Sequence, residues 1–225
     1  SFRIEKGQTL AIIGATGCGK TTLISLIARF YDATKGEVLV DGVNVKDYTF
    51  DGLYNKIGYI TQKAVLFAGS IRENITFGES REGFDEETVD MAISLSQAKE
   101  FVDKTEGGKE HHIVQLGKNV SGGQKQRLSI ARALARKPEI LIFDDSFSAL
   151  DYKTDATLRH GLARELSDTT KVIVAQRIST IRDADKIIVL ERGEAVGIGT
   201  HDELMESCPV YREIAQSQLT AAELA

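Results

Sequence analysis

The feature that most constrains this chain is the run GATGCGKT at residues 14–21, which fits the pattern G-x-x-x-x-G-K-[ST]. An apolar, β-prone stretch at residues 9–13 leads into this run. The apolar residues that follow it have the spacing of one helix face and are Leu23, Leu26, Ile27 and Phe30. A run of this kind between a strand and a helix is typical of a loop that binds phosphate groups.

Each part of this run has a predicted task. Its glycines let the backbone bend tightly and bring N–H groups onto phosphate oxygens. Lys20 is placed to reach the β- and γ-phosphates of a nucleotide, and the Thr21 hydroxyl is placed to bind Mg²⁺. The predicted nucleotide-binding residues are Gly14, Thr16, Gly17, Cys18, Gly19, Lys20, Thr21 and Thr22. We interpret Cys18 as a small residue between glycines, and a redox-sensitive thiol is the alternative.

Composition limits the classes of partner. The 225 residues allow one large domain or two small ones, and a net charge of −5 without a long basic run argues against nucleic acid. Two cysteines cannot form a disulfide framework, which fits a reducing compartment. No apolar run approaches the roughly 20 residues that cross a bilayer. The opening residues 1–4 indicate the middle of a strand, so we expect an excised domain whose N-terminal segment is missing.

Predicted strands alternate with predicted helices, which favours an α/β fold with a mostly parallel sheet. The strands expected in its core are residues 9–13, 57–60, 140–143 and 171–175. Two hairpins around Asp41-Gly42 and Arg192-Gly193 add an antiparallel part. A further strand is expected at the start of the chain, before a turn at Lys6-Gly7.

The predicted helices include a block without a convincing core strand. Residues 72–100 are expected to be largely helical, residues 105–118 a loop, and residues 124–136 a helix that stops before Pro138. We therefore predict a helical subdomain at about residues 67–135, inserted into a single domain that spans residues 1–225. An amphipathic helix is expected from His201 onward.

Four more motifs follow the phosphate loop in a fixed order. They are YITQ at residues 59–62, NVSGGQ at 119–124, ILIFDD at 140–145 and SALD at 148–151. With the run at residues 14–21, they make nearly the whole chain resemble the nucleotide-binding domain of ATP-binding-cassette (ABC) transporters. The resemblance implies a phosphate-loop NTPase core, with ATP and Mg²⁺ as its ligands.

The resemblance also carries roles over to individual residues. Asp144, Thr21 and Gln62 are the expected Mg²⁺ ligands, and Gln62 is also expected to couple the site to a membrane domain. The signature residues Ser121, Gly122, Gly123 and Gln124 are expected to bind the γ-phosphate held by a second cassette, in a head-to-tail dimer. Asp151 is expected in a loop at that dimer interface.

Two further segments are similar to the exporter branch of the family: FAGSIREN at residues 67–74 and GTHDEL at residues 199–204. Membership of that branch implies a transmembrane domain, expected to be fused upstream, and a position at the cytoplasmic face of the membrane. The family stacks adenine on an aromatic residue upstream of the phosphate loop. Only Phe2 precedes the loop here, so we expect that contact in the missing segment.

Two positions depart from the family pattern. Asp145 stands where a Glu usually positions the attacking water, and Gln176 stands where the switch histidine usually follows the last core strand. A carboxylate that is one methylene shorter is set back by on the order of 1 Å, and such a misplacement can cost about 10²-fold in rate. Gln176 cannot carry the charge of an imidazolium.

Both departures affect the site that contains this chain's own phosphate loop, whereas the signature is intact. That asymmetry predicts one half of a heterodimeric exporter, weakly hydrolytic in its own site and paired with a non-identical cassette. A non-hydrolysing regulatory ATP-binding module is one alternative. A soluble ABC ATPase of translation or DNA repair is another, although such proteins usually carry two cassettes or a coiled-coil insertion.

Overall fold

The computed structural model of the chain describes residues 1–78 and 83–218. Its strands are β1 (Thr9–Ile13), β2 (Leu39–Val40), β3 (Val43–Asn44), β4 (Ile57–Ile60), β5 (Gly69–Ser70), β6 (His112–Ile113), β7 (Ile140–Asp144), β8 (Thr170–Val174), β9 (Lys186–Glu191) and β10 (Glu194–Gly199). Its α-helices are α1 (Lys20–Ile27), α2 (Phe50–Tyr54), α3 (Ile71–Ile75), α4 (Glu86–Leu95), α5 (Lys99–Lys104), α6 (Gly122–Ala135), α7 (Tyr152–Glu165), α8 (Ile178–Ile181), α9 (His201–Ser207) and α10 (Pro209–Gln218).

A six-stranded sheet with the order β10-β9-β1-β8-β7-β4 forms the centre of the fold. Five of its strands run parallel, and β10 joins the edge antiparallel to β9. The predicted class, α/β with a mostly parallel sheet and an antiparallel part, is confirmed. Because parallel strands point the same way, the residues that follow β1, β8, β7 and β4 lie along one edge of the sheet.

The sheet is buried on both faces, as continuous apolar strands predict. Alternate residues of β1 belong to two different apolar clusters. The central strand β7 ends its apolar run at Phe143, which is fully buried with its ring centroid 4.8 Å from that of Phe147. Burial of such a side chain stabilises the fold by about 1.5–3 kcal/mol. Asp144, which follows Phe143 immediately, is therefore held in place by a well-packed strand.

Most of the predicted elements are present, with ends shifted by a residue or two. The strands predicted at residues 9–13, 57–60, 140–143 and 171–175 correspond to β1, β4, β7 and β8, and both predicted hairpins form. In the first hairpin Asp41 and Gly42 have φ values of 50° and 77°. Two consecutive positive φ values are what a type I′ turn requires. The helix predicted for residues 124–136 is α6, which ends before Pro138.

The predicted strand before the Lys6-Gly7 turn is wrong. Residues 1–5 form no strand, and Phe2 is 41% exposed rather than packed against the sheet. The reason lies in β1, which already pairs with β8 on one side and β9 on the other. A strand that folds back on β1 therefore finds no free edge.

Two more local predictions need correction. The helix after the phosphate loop ends at Ile27 and buries Ile24 and Ser25, whereas Phe30 lies beyond its end and is 50% exposed. Arg29, with a φ of 53°, turns the chain out of the helix before Phe30. The predicted loop at residues 105–118 contains β6, which pairs with β5. A strand of two residues is too short to leave a periodic signal.

The predicted helical block holds α3 to α6 and the short pair β5–β6, and no strand of the six-stranded sheet falls in its described part. Residues 79–82 of the block lie outside the described residues. Leu128 and Ala131 of α6 share an apolar cluster with Phe143, so this block packs directly on the sheet. Its boundaries at about residues 67–135 stay a prediction.

The C-terminal prediction is confirmed as two helices rather than one. The helical segment is interrupted at Cys208, and α10 starts at Pro209. Residues 219–225 lie outside the described part. None of the helices within residues 1–78 and 83–218 combines the length and the apolar character needed to span a bilayer.

Candidate functional site

The candidate phosphate loop, residues 14–21, connects β1 to α1 as predicted. Gly14 has a φ of 154°, and a Cβ atom there would lie 2.1 Å from the carbonyl oxygen of Leu190 in β9. No other residue fits so close to a backbone. Gly19, immediately before α1, has a φ of 103° and adopts it without the steric cost of a side chain. The two glycines thus allow the loop to turn sharply against β9.

The loop is covered on one side and open on the other. The backbone N–H of Gly193, in the β9–β10 turn, donates to the carbonyl oxygen of Cys18 over 3.0 Å. Cys18 is buried, whereas Thr16 and Gly17 are exposed. A Cβ atom added at Gly17 would meet no atom within 4 Å, so this side of the loop faces open space. Thr21 and Thr22, at the start of α1, are also exposed.

Lys20 folds back over the loop. Its Nζ donates to the carbonyl oxygens of Gly14 and Ala15, over 2.8 and 2.9 Å, and lies 3.8 Å from the Cys18 Sγ. Among the described residues no carboxylate forms a salt bridge with it. The ammonium group therefore rests on neutral carbonyls inside the loop, where an added anion would meet an uncompensated positive charge.

Asp144, at the end of β7, is held by hydroxyl groups. The Thr21 Oγ1 donates to its Oδ1 over 3.0 Å, and the Tyr59 hydroxyl donates to its Oδ2 over 3.3 Å. Asp144 is only 8% exposed. Burial and the charge of Asp144 raise the pKa of Tyr59, so the hydroxyl keeps its proton and acts as a donor. A carboxylate beside a threonine hydroxyl is a set of hard oxygen donors suited to Mg²⁺.

Asp145, the next residue, is held by amides. The Gln62 Nε2 and the Gln176 Nε2 both donate to its Oδ2, over 3.0 and 2.6 Å. Burial raises the pKa of Asp145, against the opposing effect of the two amide hydrogen bonds. Its φ of 49° is uncommon for a residue other than glycine. The left-handed conformation interrupts the strand and directs Asp145 differently from Asp144.

The sheet order explains why these residues meet. Gln62 follows β4 and Gln176 follows β8, and these are the two strands that flank β7. The carboxyl ends of the three strands lie side by side, so an amide approaches Asp145 from each side. The phosphate loop follows β1, which is the next strand beyond β8. The structure thus brings together residues 14–22, Gln62, Asp144, Asp145 and Gln176.

The signature residues form a separate, self-contained helix start. Ser121 caps α6: its Oγ accepts from the Gln124 N–H over 3.2 Å, and the Gln124 Oε1 accepts from the Ser121 N–H over 2.8 Å. A Cβ added at Gly122 would meet open space, and one at Gly123 would lie 3.5 Å from the Ala149 carbonyl oxygen. The Ser121 and Gln124 side chains thus each accept from the backbone N–H of the other residue, and neither contacts the phosphate loop.

Asp151 lies at the start of α7. Its Oδ1 accepts from the Thr154 N–H over 3.0 Å, and its Oδ2 accepts from the Thr154 hydroxyl over 2.7 Å. Asp151 is exposed and close in sequence to Ala149, which contacts the signature region. The described residues contain no group of three or more His, Cys, Asp or Glu side chains arranged for a metal ion.

Sequence reasoning missed two groups that complete the site. Tyr59 lies inside a motif that we used only for its terminal amide, and its hydroxyl was not expected on Asp144. Gly193 was assigned to a hairpin turn but not to the phosphate loop. The strand position of Tyr59, beside the carboxylates of β7, is a signal that could have found it. No local pattern indicates the Gly193 contact, because it depends on how the hairpin packs.

Comparison of the chain with known proteins agrees with the resemblance seen in its sequence motifs. The family model described as ABC transporter matches residues 1–148. An ABC transporter ATP-binding protein of Mycobacterium tuberculosis, itself uncharacterised, is 44% identical over 99% of this chain and 38% of its own length. A Bacillus subtilis protein with the provisional name multidrug export ATP-binding/permease protein YgaD is 41% identical over 95% of this chain and 37% of its own length.

A solved structure agrees as well. A bacterial Atm1-family ABC exporter with ATP bound superposes with a TM-score of 0.89 at 34% identity, over 94% of this chain and 37% of that one. The chain thus spans less than two-fifths of the length of these relatives. The match across most of the chain and the shared fold show that the chain belongs to the ABC transporter family and is a nucleotide-binding domain homologous to those of ABC exporters.

Proposed function

We propose that this chain binds MgATP and, as a dimer with a second, non-identical cassette, powers export of a substrate through a transmembrane domain at the cytoplasmic face of a membrane. Its relatives include a protein named for multidrug export and a solved exporter with ATP bound. The observation that carries the proposal for this particular chain is the pair of amide hydrogen bonds on one oxygen of Asp145.

The residues present fit ATP and Mg²⁺. The phosphate loop offers an open side at Gly17 and the uncompensated ammonium of Lys20. Thr21 and Asp144 already touch through their oxygens, over 3.0 Å, and with Gln62 they would hold the ion. Bound Mg²⁺ would neutralise part of the phosphate charge. Thr16 and Thr22 are exposed and lie at the edge of the same loop.

The part of the site that would activate the attacking water, formed by Asp145 and Gln176, is poorly suited to fast hydrolysis. A general base accepts a proton on a carboxylate oxygen, and the Oδ2 of Asp145 already accepts two amide hydrogens, which leaves the Oδ1 for water. The side chain is also one methylene shorter than Glu. Gln176 donates to the carboxylate with the same amide group that would otherwise contact a phosphate, and it brings no positive charge. These features support slow hydrolysis in this chain's own site.

The signature supports a second cassette as the partner. A helix N-terminus attracts anions only within its first turn, and α6 presents Ser121, Gly122 and Gly123 there with an exposed face. These residues lie in a different part of the chain from the phosphate loop and make their own capping contacts. A phosphate held by another cassette would reach them in a head-to-tail dimer, with Asp151 in the same interface.

An exposed aromatic surface formed by residues that follow Gln62 in the chain supports a membrane-domain partner. Phe67 and Phe77 stack with ring centroids 4.2 Å apart and are 43% and 52% exposed. The Arg132 guanidinium lies over both rings, at 5.3 and 5.8 Å from their centroids. Arg132 also donates to the carbonyl oxygen of Val65, which is 48% exposed. Large apolar side chains held rigidly at a surface are typical of interaction sites.

The proposal is tested by measuring ATP turnover of this chain paired with an exporter cassette that carries Glu and His at the positions of Asp145 and Gln176. Ser121→Arg here should reduce turnover at least about tenfold, because a bulky side chain fills the γ-phosphate position of the partner's site. Lys20→Ala here should leave most of the turnover, because it affects only this chain's own site. Ser207→Arg, at an exposed serine of α9, is the control.

The opposite pattern would contradict the proposal. Equal losses from both substitutions, or a greater loss from Lys20→Ala, would mean that this chain's own site carries the turnover. A pair that binds ATP but never turns it over, whichever residue is changed, would instead favour a non-hydrolysing regulatory module.

A further inference from the structure

The last described residue of α10 reaches the segment that carries Gln176. The Gln218 Oε1 accepts from the backbone N–H of Ile178 over 2.8 Å, and the Gln218 Nε2 donates to the carbonyl oxygen of Gln176 over 2.8 Å. One side chain thus binds the backbone on both sides of Arg177. A glutamine that uses both ends of its amide in this way fixes the position and the orientation of a short backbone segment.

The bound segment lacks a cap of its own. Helix α8 starts at Ile178, and Arg177 before it provides no side-chain hydrogen bond to the free N–H groups of the first turn. Such groups need an acceptor, which Ser, Thr, Asp or Asn usually supplies from the position before the helix. Gln218 supplies it here from a distant part of the chain. Without Gln218, the backbone between β8 and α8 would lose a hydrogen bond at each end.

Packing of α10 explains how Gln218 arrives there. Tyr211 and Ala215 are fully buried, and Gln218 follows them at the spacing of one helix face. The Tyr211 hydroxyl lies 2.8 Å from the Nδ1 of His201, which ties α10 to α9. The buried face of α10 therefore fixes where the helix lies along its axis and how it is rotated about that axis. Gln218 lies about one turn after Ala215 on the same face.

The contacts form a continuous chain from this helix to the catalytic carboxylate. Gln218 binds the backbone of Gln176, the Gln176 side chain donates to the Asp145 Oδ2 over 2.6 Å, and Gln62 donates to the same oxygen. We propose that Gln218 is a positioning residue that holds Gln176 against Asp145, so that the C-terminal helix sets the geometry of the hydrolytic end of the site. This inference rests on the proposed function for its effect on hydrolysis, but its structural part stands alone.

The structural part is tested in the nucleotide-free chain by nitrogen-15 NMR of glutamine side-chain amides. The resonance of Gln176 is identified by its loss in Gln176→Ala. Gln218→Ala should shift it towards the position of a solvent-exposed amide, because the backbone that carries it is released. Gln216→Ala, at an exposed glutamine of the same helix, should leave it unchanged. Gln218→Glu keeps an acceptor for Ile178 but loses the donor for the Gln176 carbonyl, and should shift it as well.

The functional part is tested by single-turnover ATP hydrolysis in a double-mutant cycle. Gln218→Ala should speed hydrolysis by up to about tenfold, with little change in MgATP affinity, because the released Gln176 amide no longer occupies the Asp145 Oδ2. In the Gln176→Ala background the same substitution should change the rate less than about twofold, because the group through which Gln218 acts is gone. The melting temperature should fall equally in both backgrounds, which separates positioning from stability.

Two results would overturn the inference. One is a Gln176 amide resonance that neither Gln218→Ala nor Gln218→Glu moves, and this result counts even if hydrolysis is too slow to measure. The other is a rate change on Gln218→Ala that persists at full size in the Gln176→Ala background. Failure of the proposed function looks different: the unsubstituted chain would not bind MgATP, while the amide shift on changing Gln218 would remain.

Discussion

Asp144 and Asp145 are adjacent in the chain, yet their surroundings differ in kind. Asp144 continues a buried strand and accepts hydrogen bonds from two hydroxyl groups, on Thr21 and Tyr59. Asp145 has a left-handed backbone and accepts two amide hydrogens on a single oxygen, from Gln62 and Gln176. One carboxylate is thus joined to the phosphate loop and the other to the ends of the flanking strands.

In the proposed function, this difference gives nucleotide binding to the Asp144 side of the site and hydrolysis to the Asp145 side. Hydroxyl and carboxylate oxygens can exchange a mutual hydrogen bond for a shared cation, so the Asp144 end suits MgATP. The Asp145 carboxylate has one oxygen occupied by two amide donors and is one methylene shorter than Glu, which is the basis of the proposal that the Asp145 end hydrolyses slowly. In the proposed function, the same sheet edge binds MgATP and hydrolyses it slowly, and each half of this comparison can be tested by substitution.

The largest effect is expected at the binding half. Lys20→Ala removes the ammonium group that lies uncompensated on the loop carbonyls, so the phosphate charge loses its partner. We expect MgATP affinity to fall by at least about 10²-fold, corresponding to roughly 2.7 kcal/mol. Isothermal titration calorimetry on the isolated chain measures it directly.

Lys46→Ala is the matched control for that experiment. Lys46 also donates to a neutral carbonyl, that of Ala33, but it is exposed and lies outside the loop. Its removal should leave the affinity unchanged. Equal affinity in Lys20→Ala and the unsubstituted chain would sink the assignment of residues 14–21 as the phosphate loop.

A gain is expected at the hydrolytic half. Asp145→Glu with Gln176→His restores the longer carboxylate and a group that can carry a positive charge, and it removes one amide donor from the carboxylate. Single-turnover hydrolysis should rise by up to about 10²-fold, because a carboxylate advanced by on the order of 1 Å approaches the attacking water. MgATP affinity should change little, since the Asp144 end is untouched.

The control for this pair is Asp202→Glu with Gln216→His, at two exposed positions of α9 and α10. It makes the same chemical changes away from the site and should leave the rate as it was. If the site variant is no faster than this control, slow hydrolysis has another origin, and the contrast between the two carboxylates does not explain it.

The sequence predicted the parts of the site that follow strand ends. Lys20, Asp144 and Gln62 each sit next to an apolar run that identifies a strand, and parallel strands bring their ends together by necessity. The same logic located Gln176. The chain therefore carries local evidence for every group whose position is set by the sheet.

Contacts set by packing between distant elements were not predictable in this way. Gln218 meets the Gln176 backbone only because α10 docks with a particular rotation, and Gly193 meets Cys18 only because a hairpin turn packs on the loop. The mistaken strand at residues 1–5 has a similar cause: its composition favours a strand, but both edges of β1 are taken. Strand propensity cannot show whether a free edge exists.

The smallest expected effect concerns the hydroxyl that distinguishes Tyr59 from phenylalanine. Tyr59→Phe keeps the ring, whose centroid lies 5.2 Å from that of Phe30, and removes the hydrogen bond of 3.3 Å to Asp144 together with the interaction of the hydroxyl with Ser25. A single hydrogen bond of this kind contributes about 1 kcal/mol, so the free energy of unfolding, measured with urea, should fall by that amount.

Tyr54→Phe is the control, because Tyr54 also contacts Phe30 but its hydroxyl makes no hydrogen bond to any described residue. Since Thr21 still binds Asp144 in the variant, MgATP affinity should fall no more than about fivefold. An equal loss of stability in Tyr54→Phe would show that removal of any tyrosine hydroxyl has this cost, and that the hydrogen bond of Tyr59 to Asp144 adds nothing further.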